Sequence, residues 1–277
     1  MINVLTFDTE EWFQSHELGI EPRNWQHLEC RVCESVKRIL AILNERGIKA
    51  TFFVVGWIAQ RYPELVREIV NAGHEVGSHG YAHEIVYEQT PEDFEEDLKK
   101  SLNILKDITG KDVIGYRAPY YSITKDSLWA LDILQRYGLK YDSSIYPISL
   151  RMFTKGGIKG YISKPCIIKE GLFEFPMPVT ELCNFKLPVA TGIYFRLFPY
   201  RFTRWAIEKA NKRGLFVTVN LHPWEFDPLQ PRVKMSLPYS IKRYTNLHKT
   251  EQRFRRLLDD FDFTSCKHKL KEIFEER

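Results

Sequence analysis

The sequence has no apolar run of about 18 residues, the length a helix needs to cross a bilayer. Nor does a basic segment and apolar stretch precede its first strand signal: Met1-Ile2-Asn3-Val4-Leu5-Thr6-Phe7 enters an apolar alternation at once. The chain as read is therefore expected to be cytoplasmic and not membrane-spanning. A surplus of one charge is also missing, with 40 basic against 36 acidic residues and a formal charge of +4. The aromatic residues, 14% of the chain, are not interleaved with a basic stripe, so no nucleic-acid partner is expected. The five cysteines (Cys30, Cys33, Cys166, Cys183 and Cys266) are odd in number and share no framework spacing, which fits free thiols in a reducing compartment. Cys30-Arg31-Val32-Cys33 is formally a CxxC, but no second pair or βαβ signal follows it, and it is read as packing at a helix start.

What is present is ample apolar material, 44% of 277 residues, enough for one large barrel-like domain. Apolar runs and helical repeats alternate through the first half. A strand over residues 2–7 is followed by a helix with Val32, Val36, Ile39, Leu40 and Leu43 at helical spacing, ending at Arg46-Gly47. A buried strand over 49–56, a helix over 58–72 and a strand ending near Ser78 come next. Thr90-Pro91-Glu92-Asp93 opens a helix that runs to about Ile108, because a capping threonine, a proline at the first helical position and acids in the first turn all favour a helix N-terminus. Strands over 113–116 and 139–141 and a helix over 126–137 complete a rhythm that predicts parallel βαβ units. Glycines and prolines crowd residues 148–197, which are read as an irregular cleft wall with one strand near 172–175. A helix over 200–213, a strand over 215–221 and an amphipathic helical tail over 247–274 follow. The expected organisation is a catalytic core at 1–147 and 198–226, with the irregular segment between and a C-terminal extension at 227–277.

Chemistry concentrates where predicted strands end. Asp8-Thr9-Glu10-Glu11 follows the first strand, and Asp8 and Glu10, two apart, share one face if that strand continues. His79 and His83 sit four apart after another, a spacing that lets two imidazoles converge on one metal ion. Arg117-Ala118-Pro119-Tyr120, Asp142-Ser143-Ser144 and His222-Pro223-Trp224-Glu225 follow three more. In parallel α/β barrels the carboxyl ends of strands carry the catalytic groups.

On the ordered motifs Thr6-Phe7-Asp8-Thr9-Glu10, His79-Gly80-Tyr81-Ala82-His83, Arg117-Ala118-Pro119-Tyr120, Asp142-Ser143-Ser144 and Leu221-His222-Pro223, the chain resembles the polysaccharide deacetylases, the NodB-homology members of carbohydrate esterase family 4. The phrases Tyr81-Ala82-His83, Tyr87-Glu88-Gln89-Thr90-Pro91 and Tyr141-Asp142-Ser143-Ser144 look closest to a bacterial branch associated with exopolysaccharide loci and the exosortase system, which bears a C-terminal extension. The resemblance implies an α/β fold, a distorted (β/α)7-type barrel, and metal-dependent removal of N-acetyl groups from N-acetylhexosamine units of an oligo- or polysaccharide.

The family's usual adjacent aspartates are replaced here by Asp8-Thr9-Glu10. The resemblance carries the base onto Asp8 and a metal ligand onto Glu10, beside His79 and His83, with zinc expected and cobalt or another divalent ion an alternative. Arg117 is expected to pair with Asp8, His222 to act as general acid, Asp142 to tune His222, and the backbone N–H of Tyr120 to stabilise the oxyanion. Trp12, Tyr120, Tyr121 and Trp224 are candidates to stack on sugar rings. Two other readings stay open: hydrolysis of another non-peptide C–N bond, and a glycan-binding relative without turnover.

Overall fold

Apolar runs become strands and amphipathic repeats become helices in the expected order, in a computed structural model that describes residues 1–148, 164–183 and 185–275. β1 (Asn3–Thr9), β2 (Thr51–Val54), β3 (Glu75–Ser78), β4 (Gly115–Tyr116) and β5 (Tyr141–Asp142) pair side by side, all parallel. Parallel neighbours require crossovers, supplied by α1 (Val32–Asn44), α2 (Gly56–Arg61), α3 (Pro63–Asn71), α4 (Pro91–Thr109) and α5 (Trp129–Arg136). The single helix expected over 58–72 is two, because Pro63 has no N–H to donate and its ring opposes a continuous helix. α4 begins as its sequence dictates: Thr90 Oγ1 accepts the Asp93 N–H at 3.1 Å.

The segment expected to be irregular is more ordered than its sequence suggests. Its residues 149–163 and 184 lie outside the described residues; the rest forms β6 (Cys166–Lys169), β7 (Leu172–Glu174), β8 (Val179–Leu182), β9 (Phe185–Pro188) and α6 (Gly192–Leu197). The strand expected near 172–175 is β7; the other elements, of four to six residues each, are too short for periodicity to reveal. β7 joins β5 in parallel, β6 adds antiparallel beyond it, and β8 and β9 make a separate ribbon. After α7 (Tyr200–Asn211), β10 (Thr218–Leu221) returns to the other side of β1, with Thr6 opposite Asn220.

The sheet order is therefore β10-β1-β2-β3-β4-β5-β7-β6, a distorted (β/α)7-type barrel that, among the described residues, is left open between β10 and β6. Beyond it lie α8 (Leu237–Tyr244), α9 (Thr250–Asp260), β11 (Phe263–Thr264) and α10 (Cys266–Glu275). The tail expected to be helical throughout thus contains a short strand, β11, paired with Asn3 and Val4.

The two faces of β1 have different work. Leu5 and Phe7 point to the helices, where Phe7 stacks on Phe52 at 4.9 Å and meets the edge of Phe254 from α9 at 5.8 Å. Phe7→Ala at such a site costs about 3–5 kcal/mol. The alternate residues Val4, Thr6 and Asp8 face the barrel interior, where Val4 packs near Phe53 and Tyr141, and Thr6 and Asp8 lie nearer the carboxyl edge. Among the described residues no helix is long and apolar enough to cross a membrane.

Candidate active site at the carboxyl edge of the sheet

Asp8 is the last inward residue of β1 and is almost fully buried. Its Oδ1 accepts from Arg117 Nη1 at 2.8 Å and its Oδ2 from Asn220 Nδ2 at 2.7 Å. Arg117, itself fully buried, also donates to Thr6 Oγ1 at 2.8 Å, to the Ser143 carbonyl at 3.1 Å and to Ser143 Oγ at 2.6 Å. Burial pushes the Asp8 carboxyl up, but the charges of Arg117, His79 and His222 outweigh it and hold the group below the usual carboxylate range. Asp8 is a dry, ionised carboxylate with a fixed orientation.

Three donors gather beside it. Oxygen and nitrogen atoms of Glu10, His79 and His83, all buried, lie within 4.8 Å of one another. Each imidazole is set by a backbone carbonyl, which can only accept: His79 Nδ1–H donates to Arg117 at 2.7 Å and His83 Nδ1–H to Gln14 at 3.0 Å. That tautomer leaves both Nε2 lone pairs facing the cluster. Burial, the largest influence on His79, lowers it to about 4, so the ring is neutral at pH 7.

His83 Nε2 is buried without a hydrogen-bond partner, although Glu10 Oε2 is only 2.5 Å away. Two lone-pair atoms so placed repel unless a proton or a metal ion is shared between them, and two imidazole nitrogens with one carboxylate are a fitting donor set for a divalent ion. Glu10 is steadied on its other oxygen by the Trp224 indole N–H at 2.7 Å. The loop that brings His83 round has Gly80 at φ +70° and His83 at φ +56°. Asp97 of α4 secures it by accepting the N–H groups of Tyr81 and Ala82, both at 2.8 Å.

His222 follows β10 and reaches Asp8 from the opposite side, Nε2 to Oδ2 3.7 Å; the matching distance from His79 is 4.0 Å. Its Nδ1 meets Glu225 Oε2 at 3.0 Å, and Glu225 Oε1 accepts from the buried Arg196 of α6 at 2.6 Å. Burial opposes charge on His222, but the hydrogen bond and charge of Glu225, with Glu10 and Asp8, raise it to about 9. His222 is thus an imidazolium at neutral pH.

The partner expected for His222 was Asp142, and here the structure differs. Asp142 ends β5, where it accepts from Ser144 Oγ at 2.5 Å and lies against Glu174 of β7, and burial raises it to about 6. Its strand neighbours serve Arg117 and Ala118 through Ser143 and Ser144, so the motif supports the base from below and does not touch the acid. Glu225 takes that place because it lies three residues beyond His222 in a tight turn that also accepts the His222 N–H at 2.9 Å.

Tyr120 lies over the cluster, its ring 5.2 Å from that of His83, with its backbone in the left-handed region at φ +59°. Tyr120, Tyr121 and Trp224 line a cavity of about 150 Å³ that opens on Glu10 and His222, with Gly192 and Tyr194 from the α6 segment opposite. Trp12 is not among them: it is 5% exposed and packs on Phe13 and Trp25 beneath the surface. Sequence reasoning missed Asn220, Asp97, Glu225 and Arg196. A glutamate three residues after a helix-capping position signals Glu225. Asp97 is one acid among many on α4, and nothing local marks Arg196.

The polysaccharide deacetylase family model matches residues 4–141, and a model described as a domain of unknown function, DUF3473, matches residues 143–271. The peptidoglycan deacetylase of Helicobacter pylori is 36% identical over 110 residues, 40% of this chain and 36% of that protein. The peptidoglycan-N-acetylglucosamine deacetylase of Bacillus cereus is 32% identical over 100 residues, 36% of each. The matched region therefore spans 36% of the length of each of these curated relatives. A solved protein of Mycobacterium smegmatis shares the fold with a TM-score of 0.63 at 18% identity, covering 99% of this chain and 90% of that one. A carbohydrate esterase family 4 pseudoenzyme of Bacillus anthracis shares it at 0.51 and 15%, covering 96% of this chain and 64% of the other. At these identities the structural likeness establishes the fold alone.

Proposed function

From the premise that this chain carries a polysaccharide deacetylase domain over residues 4–141, we propose that it is a metal-dependent hydrolase that removes N-acetyl groups from N-acetylhexosamine units of a glycan, releasing acetate. The observation that carries the reading is the position of Asp8, an ionised carboxylate 4.0 Å from a ligand-type imidazole and 3.7 Å from a protonated one. A base, a metal cluster and an acid within reach of one acetamide are what amide hydrolysis at neutral pH requires.

Glu10, His79 and His83 would hold the ion, with zinc the natural choice for two imidazoles and a carboxylate. Bound there, a divalent cation supplies Lewis acidity, which lowers the pKa of water and polarises an acyl oxygen. Asp8 accepts the proton of the attacking water, and Arg117 and Asn220 keep it ionised and aimed. His222 gives the proton on Nε2 to the departing amine nitrogen, while Glu225, backed by Arg196, holds Nδ1–H and fixes the ring. The backbone N–H of Tyr120 donates to the oxyanion. Tyr120, Tyr121 and Trp224 form the aromatic wall on which a sugar lies. On the phrases resembling the exosortase-associated branch, we assign the activity to exopolysaccharide synthesis.

Acetate release from N-acetylglucosamine oligomers tests the reading. Zinc-loaded protein is expected to release acetate, and Asp8→Asn to lower the rate by about 10²–10⁴-fold. Folded, zinc-loaded protein that binds the oligomers and releases none overturns it.

A further inference from the structure

Cys30 and Cys33 take no part in the deacetylase site, yet their placement is that of reactive thiols. The two Sγ atoms are 3.6 Å apart and in hydrogen-bond contact, Cys30 donating to Cys33. Cys30 immediately precedes the N-cap Arg31 of α1, and Cys33 is the second residue of that 13-residue helix. Cys30 lies just outside the helix and Cys33 in its first turn, and the chain between them turns so that the two sulfurs meet. Both are half-buried, whereas Cys183 is exposed and Cys266 fully buried. The helix that carries Cys33 also lies within a βαβ unit: α1 connects β1 and β2, which pair in parallel.

The surroundings favour charge on one sulfur and protonation of the other. Cys33 lies in the first turn of α1, and the hydrogen bond from Cys30 lowers its pKa. Cys30 has the Glu11 carboxylate and the Tyr62 hydroxyl within hydrogen-bonding reach. The backbone between the cysteines is fixed, since Glu11 Oε1 accepts the N–H groups of Arg31 at 2.9 Å and Val32 at 3.2 Å. The segment therefore holds the pair in register before any bond forms. Both thiols pack against the edge of the main apolar core, and their mutual contact makes of that packing a pair placed to bond.

We propose that Cys30 and Cys33 form a dithiol site that undergoes thiol–disulfide exchange with a small-molecule or protein disulfide. The Cys33 thiolate attacks one sulfur of the incoming disulfide, forming a mixed disulfide and expelling a thiolate that takes up a proton. Cys30 then loses its proton to solvent and attacks the Cys33 sulfur, expelling the second thiolate. Two protein thiols are oxidised to one disulfide and one incoming disulfide is reduced to two thiols.

The test is incubation of the full chain in graded mixtures of reduced and oxidised glutathione, acid quench and peptide mass spectrometry. A Cys30–Cys33 disulfide is expected at ratios where Cys166 and Cys183 remain mostly reduced. In Cys30→Ser, glutathione is expected to accumulate on Cys33. In Cys33→Ser, modification of Cys30 is expected to be slower by about tenfold or more. Stable glutathione adducts on both cysteines of the unaltered chain, or no bond between them at any ratio, overturn the proposal.

Discussion

The loop after β3 and the loop after β10 each bring an imidazole to the same carboxylate, His79 at 4.0 Å and His222 at 3.7 Å from Asp8, yet they hold opposite protonation states. The difference lies at the far nitrogen of each ring. His79 gives Nδ1–H to a neutral carbonyl, and burial lowers it to about 4; His222 faces the Glu225 carboxylate, which overcomes burial and raises it to about 9. Equal proximity to Asp8 does not fix a histidine's role. The neighbour at its other nitrogen does.

The contrast has opposite signatures in the pH dependence of metal-free stability. The folded pKa of His79 lies below its ordinary 6.5, so its contribution is full above pH 6.5 and is lost as pH falls toward 4. That of His222 lies above 6.5, so its contribution is full below pH 6.5 and is lost as pH rises toward 9.

The largest break in the comparison is His222→Gln, expected to lower kcat by about 10²–10⁴-fold through loss of the acid, read by acetate release. Glu225→Gln comes next. It leaves Arg196 buried with a neutral partner, at a cost on the order of 3 kcal/mol in a denaturation curve. It also removes what raises His222, so the basic limb of the pH–rate profile moves to lower pH. Asp97→Asn loosens the 79–83 loop and is expected to weaken metal affinity by about 10–100-fold, as measured by competition with a chelating dye, with the basic limb unmoved. The smallest effect is that of Gly192→Ala. A Cβ there would sit 3.2 Å from His222 Cε1, on a backbone at φ +36°. The cost is about 1 kcal/mol, a shift of a few degrees in Tm.

Legibility in the sequence followed the same division. The loop after β3 declares itself, since two histidines four apart after a glycine-bounded strand are a local pattern. So do Asp8, Glu10 and Arg117, each at the end of an apolar run. The environment of His222 is not local. Arg196 comes from a six-residue helix in a stretch whose prolines and glycines conceal periodicity, and only folding brings it under Glu225. Asp142 misled because it occupies a strand end like the others, while its side chain turns to Glu174 and Ser144. The parallel alternation was readable because apolar runs and amphipathic helical repeats recur in it at a steady rhythm, and β7 was readable with it; the four-residue strands β6, β8 and β9 were not.

The central claim is that the histidines divide into a pair that holds metal and one that moves a proton. Elemental analysis of zinc in purified His79→Ala, His83→Ala and His222→Ala tests it most directly. The account predicts that the first two lose the ion and the third retains it at the level of the unaltered protein. Zinc retained in both pair variants, or lost from His222→Ala while the protein stays folded, would contradict it.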